Sequence, residues 1–304
     1  MALPEAEFIW MDGSLVPWAE AKVHVLTHGL HYGTGVFEGT RAYATADGPA
    51  LFRLDDHLDR LFRSARIVGM ELPHTRDEIR EATLDVVRAN GLGSCYVRTL
   101  AYLGYGEMGI DVGRSPVRMS IAAWEWGSYL GGGADEGARL MTSSWRRNDP
   151  AVVPTAAKAT GPYLNSVLAK AEARQAGFDE AVLLSPDGYV SECSGENIFV
   201  VRDGAVLTPP SSAGALEGIT QDTVLRLAAD LGFPARRENL LRSDLYAADE
   251  VFMCGTAAEV VPVRSVDRRE VFSSNLVTGK IRSAFRSVVD GTDDAYRHWL
   301  THVR

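Results

Sequence analysis

One lysine stands among residues with very small side chains. It is Lys158, in the segment Pro154-Thr155-Ala156-Ala157-Lys158-Ala159-Thr160-Gly161-Pro162-Tyr163. A flat ligand could lie against the backbone of this segment while the lysine amine reaches it. A lysine attacks a carbonyl group only after losing its proton, and burial or a neighbouring cation lowers the lysine pKa enough for that loss. The pattern is also common in surface loops, so the segment by itself leaves both interpretations open.

A second pair of residues could bind a carboxylate. Tyr96 and Arg98 lie in the segment 95–103, whose alternation of side chains predicts a strand. Because side chains two residues apart point to the same face of a strand, their hydroxyl and guanidinium groups should lie side by side. The pair suits a carboxylate ligand, but it equally suits the polar outer face of an edge strand.

Two further features suit a phosphate group. Arg60, Arg63 and Arg66 fall in a predicted helix over 54–70, and the planar guanidinium group binds phosphate well. Such a run of arginines is usually a solvated helix face, and the helical period does not choose among the three. The segment Gly218-Ile219-Thr220 precedes another predicted helix, whose first N–H groups attract anions.

Glu192 adds a carboxylate at the end of a predicted strand. A lysine amine, a carboxylate and a phosphate site are together the three groups that pyridoxal phosphate requires. The carboxylate keeps the pyridine nitrogen of that cofactor protonated, so that the ring accepts electrons from the α-carbon of a substrate. The combination therefore predicts a site for pyridoxal 5'-phosphate.

The elements that carry these residues follow from local patterns. Residues 8–16 predict a hairpin with an Asp-Gly turn, and Thr75 with Glu78 forms a capping box that begins a helix. Residues 104–116 form a glycine-containing loop longer than most connections, which favours a functional role. After the lysine segment, another helix is predicted by apolar residues at helical spacing, namely Leu164, Val167, Leu168 and Ala171.

The composition excludes several classes of protein. The chain has 304 residues, of which 40 are acidic and 31 basic, and the net charge of -9 argues against nucleic acid or an anionic membrane as the main partner. No apolar run approaches the roughly 20 residues of a spanning helix, and the first residues lack the features of a signal peptide, so we expect a cytoplasmic location. Cys95, Cys193 and Cys254 lack Cys-x-x-Cys spacing, which predicts reduced thiols without a disulfide framework or a zinc site.

The length predicts two domains, because single hydrophobic cores stop growing at roughly 250 to 300 residues. The glycine-rich stretch 127–134 has the most flexible composition of the chain. We therefore place a small N-terminal α+β domain at 1–126, an interdomain loop at 127–137 and a larger C-terminal domain at 138–304.

Seven motifs give the sequence a specific resemblance to a known family. The chain resembles the branched-chain-amino-acid transaminases, which are fold-type IV pyridoxal-phosphate enzymes, over nearly its whole length from Phe8 to Val288. The motifs are Lys22-Val23-His24-Val25, His31-Tyr32-Gly33-Thr34-Gly35-Val36-Phe37-Glu38-Gly39, Tyr96-Val97-Arg98, Pro154-Thr155-Ala156-Ala157-Lys158, Gly188-Tyr189-Val190-Ser191-Glu192, Ser194-Gly195-Glu196-Asn197 and Phe252-Met253-Cys254-Gly255-Thr256-Ala257-Ala258-Glu259.

The resemblance implies a mixed α+β and α/β fold of the D-amino-acid-aminotransferase type, with a β-barrel-like core in the C-terminal domain. It implies transfer of an amino group between branched-chain L-amino acids (leucine, isoleucine and valine) and 2-oxoglutarate, giving branched-chain 2-oxo acids and L-glutamate. The expected partners are these amino acids and 2-oxo acids. The expected assembly is a homodimer or a larger homo-oligomer, because the family completes each site with a neighbouring subunit.

By position, the resemblance assigns Lys158 as the Schiff-base lysine and as the proton carrier between the substrate α-carbon and the C4' carbon of the cofactor. Glu192 would bind the pyridine nitrogen, and Tyr163 would form a hydrogen bond with the phenolic oxygen of the ring. The resemblance selects Arg60 from the three arginines of its helix as the phosphate ligand. The other implied phosphate ligands are Ile219, Thr220 and Thr256.

The implied substrate-binding residues form a two-sided pocket, because the family binds an aliphatic side chain and then the charged side chain of glutamate. An extra methylene group changes binding by only about 1 to 3 kcal/mol, so leucine, isoleucine and valine should all be accepted. The α-carboxylate would be bound by Tyr96 and the N–H groups of Thr256 and Ala257, and the distal carboxylate by Arg98, Tyr32 and Tyr129. The apolar wall would consist of Phe37, Gly39, Trp126 and Tyr163, with Met108 and Ile110 from the loop of a neighbouring subunit.

Two other activities share this fold. A D-amino-acid or (R)-amine transaminase would keep the cofactor and change the carboxylate site, and Tyr96 with Arg98 argues against it. Aminodeoxychorismate lyase would eliminate pyruvate and would need space for an aromatic-sized ring. Thr99 departs from the expected pattern, because bacterial relatives have proline there, and this change could alter the choice of amino donor.

Overall fold

The computed structural model describes residues 4–127, 136–271 and 276–304. Contacts within the chain divide it into two compact units. The first comprises Met1–Trp126, Ala157–Gly161 and Val288–Arg304, and the second comprises Gly127–Ala156 and Pro162–Ser287. This division differs from the predicted domain limits chiefly because the lysine segment and the last residues group with the first unit.

Helices and strands are mixed along the described chain, as expected for an α+β and α/β protein. The α-helices there are α1 (His28–Tyr32), α2 (Leu54–Ile67), α3 (Arg76–Ala89), α4 (Tyr163–Gln175), α5 (Ile219–Asp230), α6 (Arg242–Tyr246) and α7 (Leu276–Val289). Among residues 4–127, 136–271 and 276–304, no helix has both the length and the apolar character needed to cross a membrane.

The first unit is built on a seven-stranded sheet in which every paired neighbour is antiparallel. The order of the strands is β16-β4-β3-β5-β6-β1-β2. Their bounds are β1 (Phe8–Met11), β2 (Ser14–Pro17), β3 (Gly35–Thr45), β4 (Gly48–Phe52), β5 (Cys95–Leu103), β6 (Val117–Glu125) and β16 (Leu300–His302).

Local sequence signals in the first unit are confirmed. β1 and β2 form the predicted hairpin, and its turn residues Asp12 and Gly13 have φ values of 47° and 105°, the left-handed region that this turn type requires. Thr75 caps α3 in the predicted capping box, since its hydroxyl accepts a hydrogen bond from Glu78 N and its own N–H donates to the Glu78 carboxylate.

Helix α2 lies against β3 with an apolar face that includes Leu54, Leu58, Leu61 and Ala65, all of which are buried. Burial of such a side chain stabilises the fold by about 1.5 to 3 kcal/mol for the larger residues. This packing fixes the helix on the sheet, and therefore fixes the polar residues that the same face carries.

The second unit is built on a nine-stranded sheet in the order β12-β11-β10-β13-β14-β7-β8-β9, with β15 paired to β14. The sheet curls back on itself, because β9, which ends this order, also contacts β10. The strands are β7 (Ala138–Arg146), β8 (Glu180–Leu184), β9 (Val190–Cys193), β10 (Asn197–Arg202), β11 (Ala205–Thr208), β12 (Ala235–Arg237), β13 (Glu250–Gly255), β14 (Glu259–Val266) and β15 (Arg269–Glu270).

Helix α4 follows the lysine segment as predicted, but its apolar stripe is not its buried face. Leu164 and Val167 are 64% and 61% exposed, whereas Ala169 and Ala173 are buried. The two alanines belong to a cluster with residues of β8, where small side chains allow the helix to approach the strand closely. Helical spacing therefore predicted the helix correctly without identifying the face that packs.

Candidate active site

The segment that carries Lys158 runs beside β3 in the first unit. Phe37 N donates to the carbonyl oxygen of Lys158 at 2.9 Å, and Val36 forms an isolated antiparallel bridge with Ala159. Lys158 N donates to the hydroxyl of Ser64 on α2 at 3.0 Å. A strand and a helix therefore fix the backbone of the lysine.

Small residues are necessary for this close approach. A Cβ atom added to Gly33 would lie 2.7 Å from the Cα atom of Gly161, closer than real Cβ atoms come. Gly33 also has a φ of +64°, which favours glycine. Gly33 and Gly161 thus have a packing role that the sequence pattern alone did not show.

The lysine amine and a candidate carboxylate-binding group meet at one aromatic ring. Lys158 Nζ lies 4.9 Å from the centroid of the Phe37 ring, and Arg98 Cζ lies 4.7 Å from the same centroid. Phe37 is buried, while Lys158 is half-buried. The first unit therefore places the amine and the guanidinium group beside a shared apolar surface.

Tyr96 and Arg98 share one face of β5, as the strand period predicted. Arg98 Nη2 donates to the hydroxyl of Tyr96 at 3.3 Å. Arg98 Nε is buried and has no hydrogen-bond partner among the described residues. Because buried polar groups are rarely left unpaired, this donor fits an anionic ligand.

Gly39 and Trp126 both lie against the Tyr96 ring. A Cβ atom added to Gly39 would lie 1.7 Å from the Tyr96 hydroxyl oxygen, so the tyrosine occupies the space that a side chain would need. The ring centroids of Tyr96 and Trp126 are 5.0 Å apart. These contacts fix the hydroxyl group of Tyr96 at the same face as Arg98.

Arg60 is buried on α2, whereas Arg63 and Arg66 are exposed. Its Nε and Nη2 donate to the two carboxylate oxygens of Glu38 at 2.7 and 2.8 Å. A charge-assisted pair of parallel hydrogen bonds of this kind fixes the plane of the guanidinium group. Burial therefore distinguishes Arg60 from the two other arginines of the helix, which periodicity did not.

The charge of this cluster follows from its contacts. Burial raises the pKa of the Glu38 carboxyl, but the charge of Arg60 and hydrogen bonds from Arg60 and His57 outweigh burial and hold that pKa well below its usual range. Burial lowers the pKa of His57, despite the opposing effect of Glu38. His57 is therefore a neutral ring near pH 7 that donates from Nδ1 to Glu38 Oε2 at 2.7 Å.

Three predicted substrate residues are exposed in the first unit. Tyr32 ends α1 and is 47% exposed, and Met108 and Ile110 lie in the loop after β5 and are 45% and 90% exposed. That loop, residues 104–116, has neither helix nor strand, in agreement with the sequence prediction. Tyr129 lies outside the described residues.

In the second unit, Glu192 lies on β9 and is paired with a buried arginine. Arg147 Nη2 is 2.9 Å from Glu192 Oε1, and Leu216 N donates to Glu192 Oε2 at 3.0 Å. Arg147 Nε in turn donates to the carbonyl oxygen of Gly214 at 3.2 Å. The carboxylate is therefore paired with a cation and fixed from two sides.

The second unit also contains the predicted helix start. Gly218 is the N-cap of α5, followed by the buried residues Ile219 and Thr220. A Cβ atom on Gly218 would lie 2.0 Å from Asn197 Oδ1, so only glycine fits beside that amide. The partial positive charge of a helix N-terminus favours a phosphate at such a position.

The remaining predicted ligands of the second unit lie near ends of elements. Thr256 and Ala257 are half-buried in the turn between β13 and β14, and Tyr163 is the first residue of α4.

Four residues of these clusters were missed by sequence reasoning. Glu38 and His57 are recognisable only once β3 and α2 are known to pack together, although the spacing of His57 and Arg60 by three residues places both on one helix face. Ser64 lies one turn further along that face. No sequence signal could have identified Arg147, because it follows β7 in a stretch without periodicity.

Comparison with known proteins agrees with this geometry. The family model of amino-transferase class IV matches residues 35–266. The chain is 48% identical to the branched-chain-amino-acid aminotransferase of Pseudomonas aeruginosa over 299 residues, covering 97% of each chain. The crystal structure of the T.th. branched-chain amino acid aminotransferase with pyridoxamine 5'-phosphate superimposes with a TM-score of 0.95 at 49% identity, covering 99% of each chain.

The same T.th. enzyme complexed with N-(5'-phosphopyridoxyl)-L-glutamate gives a TM-score of 0.94 at 48% identity, again covering 99% of each chain. These matches extend over both units. The chain therefore belongs to the class IV aminotransferase family and, within it, to the branched-chain-amino-acid aminotransferases of fold type IV.

Proposed function

We propose that the chain catalyses pyridoxal 5'-phosphate-dependent transfer of the amino group of L-leucine, L-isoleucine and L-valine to 2-oxoglutarate. The products are the branched-chain 2-oxo acids and L-glutamate. The observation that carries this proposal is the position of Lys158 Nζ and Arg98 at the same Phe37 ring. A reactive amine and a donor for carboxylates thus lie against the same buried ring, as amino-acid chemistry requires.

The donor groups of the chain fit the cofactor. The amine of Lys158 suits its aldehyde, the buried carboxylate of Glu192 suits its pyridine nitrogen, and the start of α5 suits its phosphate. When bound, pyridoxal phosphate supplies an electron-accepting ring that stabilises negative charge at the substrate α-carbon.

Lys158 has two roles in this proposal. Its Nζ would hold the aldehyde carbon of the cofactor before substrate binds and, once displaced by the substrate amine, would move the proton between the substrate α-carbon and the C4' position. The backbone of Lys158 is fixed, because its N–H donates to the hydroxyl of Ser64 and its carbonyl oxygen accepts from Phe37 N. The amine therefore reaches the cofactor and substrate from a fixed starting point, which favours proton transfer.

Glu192 would keep the pyridine nitrogen protonated, and Arg147 pairs with the carboxylate that does so. Tyr163 forms a hydrogen bond with the phenolic oxygen of the ring. The phosphate is bound by Arg60, and Glu38 fixes the plane of the Arg60 guanidinium group. The other phosphate ligands of the proposal are Ile219, Thr220 and Thr256.

The substrate carboxylates are distinguished by position. Tyr96 and the N–H groups of Thr256 and Ala257 bind the α-carboxylate, and the distal carboxylate of glutamate is bound by Arg98, Tyr32 and Tyr129. The buried Arg98 Nε supports an anionic ligand at this face of β5. The apolar wall consists of Phe37, Gly39, Trp126 and Tyr163.

The same proposal includes a homodimer at least. Ile110 is 90% exposed on the single chain, which is unusual for a large apolar side chain. It gains an apolar environment if Met108 and Ile110 enter the pocket of a neighbouring subunit. The cytoplasmic location expected from the sequence stays part of the proposal.

A direct test mixes the purified protein with pyridoxal phosphate, L-leucine and 2-oxoglutarate and measures L-glutamate. We expect glutamate to form, with comparable turnover for isoleucine and valine. Turnover of D-alanine or (R)-1-phenylethylamine without glutamate from leucine would favour the D-amino-acid or (R)-amine transaminase instead. Release of pyruvate from aminodeoxychorismate would favour the lyase.

A further inference from the structure

His28 is a buried histidine of the first unit to which no role has been assigned above. Its side chain is only 1% exposed and makes two short hydrogen bonds. Nδ1 lies 2.7 Å from the hydroxyl of Thr34, and Nε2 lies 2.7 Å from the carbonyl oxygen of Gly109. The ring therefore connects the segment around α1 with the loop 104–116.

The two contacts define the tautomer of the ring. A carbonyl oxygen only accepts hydrogen bonds, so Nε2 must carry the proton that is donated to Gly109. In the neutral ring Nδ1 is then the acceptor, and the Thr34 hydroxyl donates to it. The carbonyl of Gly109 thus fixes the tautomer, and the Thr34 hydroxyl pairs with the nitrogen that this tautomer leaves as an acceptor.

Backbone hydrogen bonds reinforce this connection at the start of the loop. His28 N donates to the carbonyl oxygen of Gly104 at 3.2 Å, and Leu103 N donates to that of Thr34 at 3.0 Å. The side chain of His28 adds a second attachment five residues further along, at Gly109. Gly109 has a φ of +138°, a conformation that favours glycine, so its carbonyl direction is a specific feature of this loop.

The attachment point lies between two proposed substrate residues. Gly109 stands between Met108 and Ile110 in the chain, and the His28 ring also lies against Tyr32, with ring centroids 4.5 Å apart and planes inclined by 32°. One imidazole therefore contacts both the middle of the loop and the tyrosine proposed to bind the distal carboxylate.

We propose that His28 is a positioning residue for substrate recognition, which fixes Tyr32 together with the segment Met108–Ile110 that the proposed function places in the pocket of a neighbouring subunit. This inference rests on the proposed function, since that function gives the three residues their contact with substrate. Without the hydrogen bond to Gly109, a glycine-containing loop samples many conformations and loses entropy each time substrate binds. Substrates whose side chains reach the loop would therefore bind more weakly.

The test compares His28→Leu with His28→Gln in the full-length enzyme loaded with cofactor. Glutamine retains an N–H donor near the position of Nε2, whereas leucine has none. We expect His28→Leu to lower kcat/KM for L-leucine by about 10- to 100-fold, mainly through KM, as expected when a binding group is misplaced by about 1 Å. L-Alanine, which has no side chain long enough to reach the loop, should lose much less, and His28→Gln should restore most of the leucine value.

Two measurements separate positioning from general damage. The dissociation constant for pyridoxal phosphate and its absorption spectrum should be unchanged in both variants, because Lys158, Arg60 and Glu192 are intact. Hydrogen exchange in peptides covering residues 104–112 should be faster in His28→Leu than in His28→Gln. An unchanged leucine-to-alanine ratio in a folded His28→Leu enzyme would overturn the proposal.

A second pair of variants tests the proposal in case His28→Leu does not fold. Thr34→Val removes the donor to Nδ1, and Thr34→Ser retains it, so only the valine variant should reduce the leucine-to-alanine ratio. If His28→Leu does not fold and Thr34→Val behaves like Thr34→Ser, the proposal is wrong. If wild type forms no glutamate, the proposed function fails, and the exchange experiment still decides whether His28 fixes the loop.

Discussion

Arg147 Nη2 lies 2.9 Å from Glu192 Oε1, and the two side chains are only 7% and 9% exposed. A carboxylate at this depth is stable only with a nearby cation and hydrogen-bond donors, which Arg147 and the N–H of Leu216 supply. The pair therefore determines the charge that the proposed cofactor site presents to a pyridine nitrogen.

Replacement of Arg147 should destabilise the protein. Arg147→Met leaves Glu192 buried without its cation, which costs about 3 to 5 kcal/mol for a buried pair, and Arg147→Lys should cost less because it keeps the charge. Urea unfolding of the cofactor-free proteins at pH 7 measures both differences. Equal midpoints for Arg147→Met and wild type would show that the pair does not stabilise the fold.

Removal of the lysine amine should abolish the chemistry. We expect Lys158→Ala to have no transaminase turnover and no cofactor adduct that borohydride can trap, because no other amine is fixed beside Phe37 and Arg98 in the first unit as described. Lys280→Ala, which changes an exposed lysine on α7, serves as the control and should keep both. A trapped adduct at a different lysine in Lys158→Ala would show that the site is assigned to the wrong residue.

The stability of the first unit should depend on pH through Glu38. Its folded-state pKa is far below the ordinary 4.5, so its contribution is fully present above pH 4.5 and is lost as pH falls towards the folded pKa. Glu38→Gln should therefore be less stable than wild type by about 3 kcal/mol at pH 7, with a difference that shrinks below pH 4.5. Urea unfolding between pH 7 and pH 3.5 measures this trend.

The same variant should weaken cofactor binding, because Arg60 loses the carboxylate that fixes its plane. Fluorescence titration with pyridoxal phosphate gives the dissociation constant independently of turnover. In the urea experiment, a stability difference between Glu38→Gln and wild type that stays constant from pH 7 to pH 3.5 would contradict the assignment of an ionised Glu38.

Substitution of Gly39 should affect substrate binding selectively. The methyl group of Gly39→Ala would lie 1.7 Å from the Tyr96 hydroxyl oxygen, so Tyr96 must move. We expect KM for L-leucine and 2-oxoglutarate to rise by about 10- to 100-fold while cofactor binding is retained. Gly93→Ala is the matched control, since its added Cβ would meet no heavy atom within 4 Å among the described residues. Comparable KM values for the two variants would remove Tyr96 from the substrate site.

Local signals in the sequence predicted much of the fold. The Asp-Gly hairpin, the capping box of Thr75 and the pairing of Tyr96 with Arg98 on one strand face depend on residues close together in the chain, and the structure confirms each. Features of this kind are determined by backbone conformation and side-chain period. They require no knowledge of how distant segments pack.

Contacts between distant segments could not be predicted in the same way. Arg60 differs from Arg63 and Arg66 because it is buried, and because Glu38, 22 residues earlier, lies beside it on β3. The apolar stripe of α4 was also uninformative about packing, because β8 accepts the small side chains of the opposite face. The family resemblance selected Arg60 from the sequence, and burial now gives the physical reason for that choice.

The first unit is assembled from three separate pieces of chain, and this affects its folding. Strand β16 pairs with β4 along the edge of the sheet, with Leu300 opposite Phe52, and Arg53 N donates to Trp299 O at 2.7 Å. A ribosome releases β4 long before residues 299–302 are made, so the nascent sheet has an uncovered edge for most of translation. A stop codon ahead of Trp299 would make that edge permanent and leave it open to pairing with other copies of the chain.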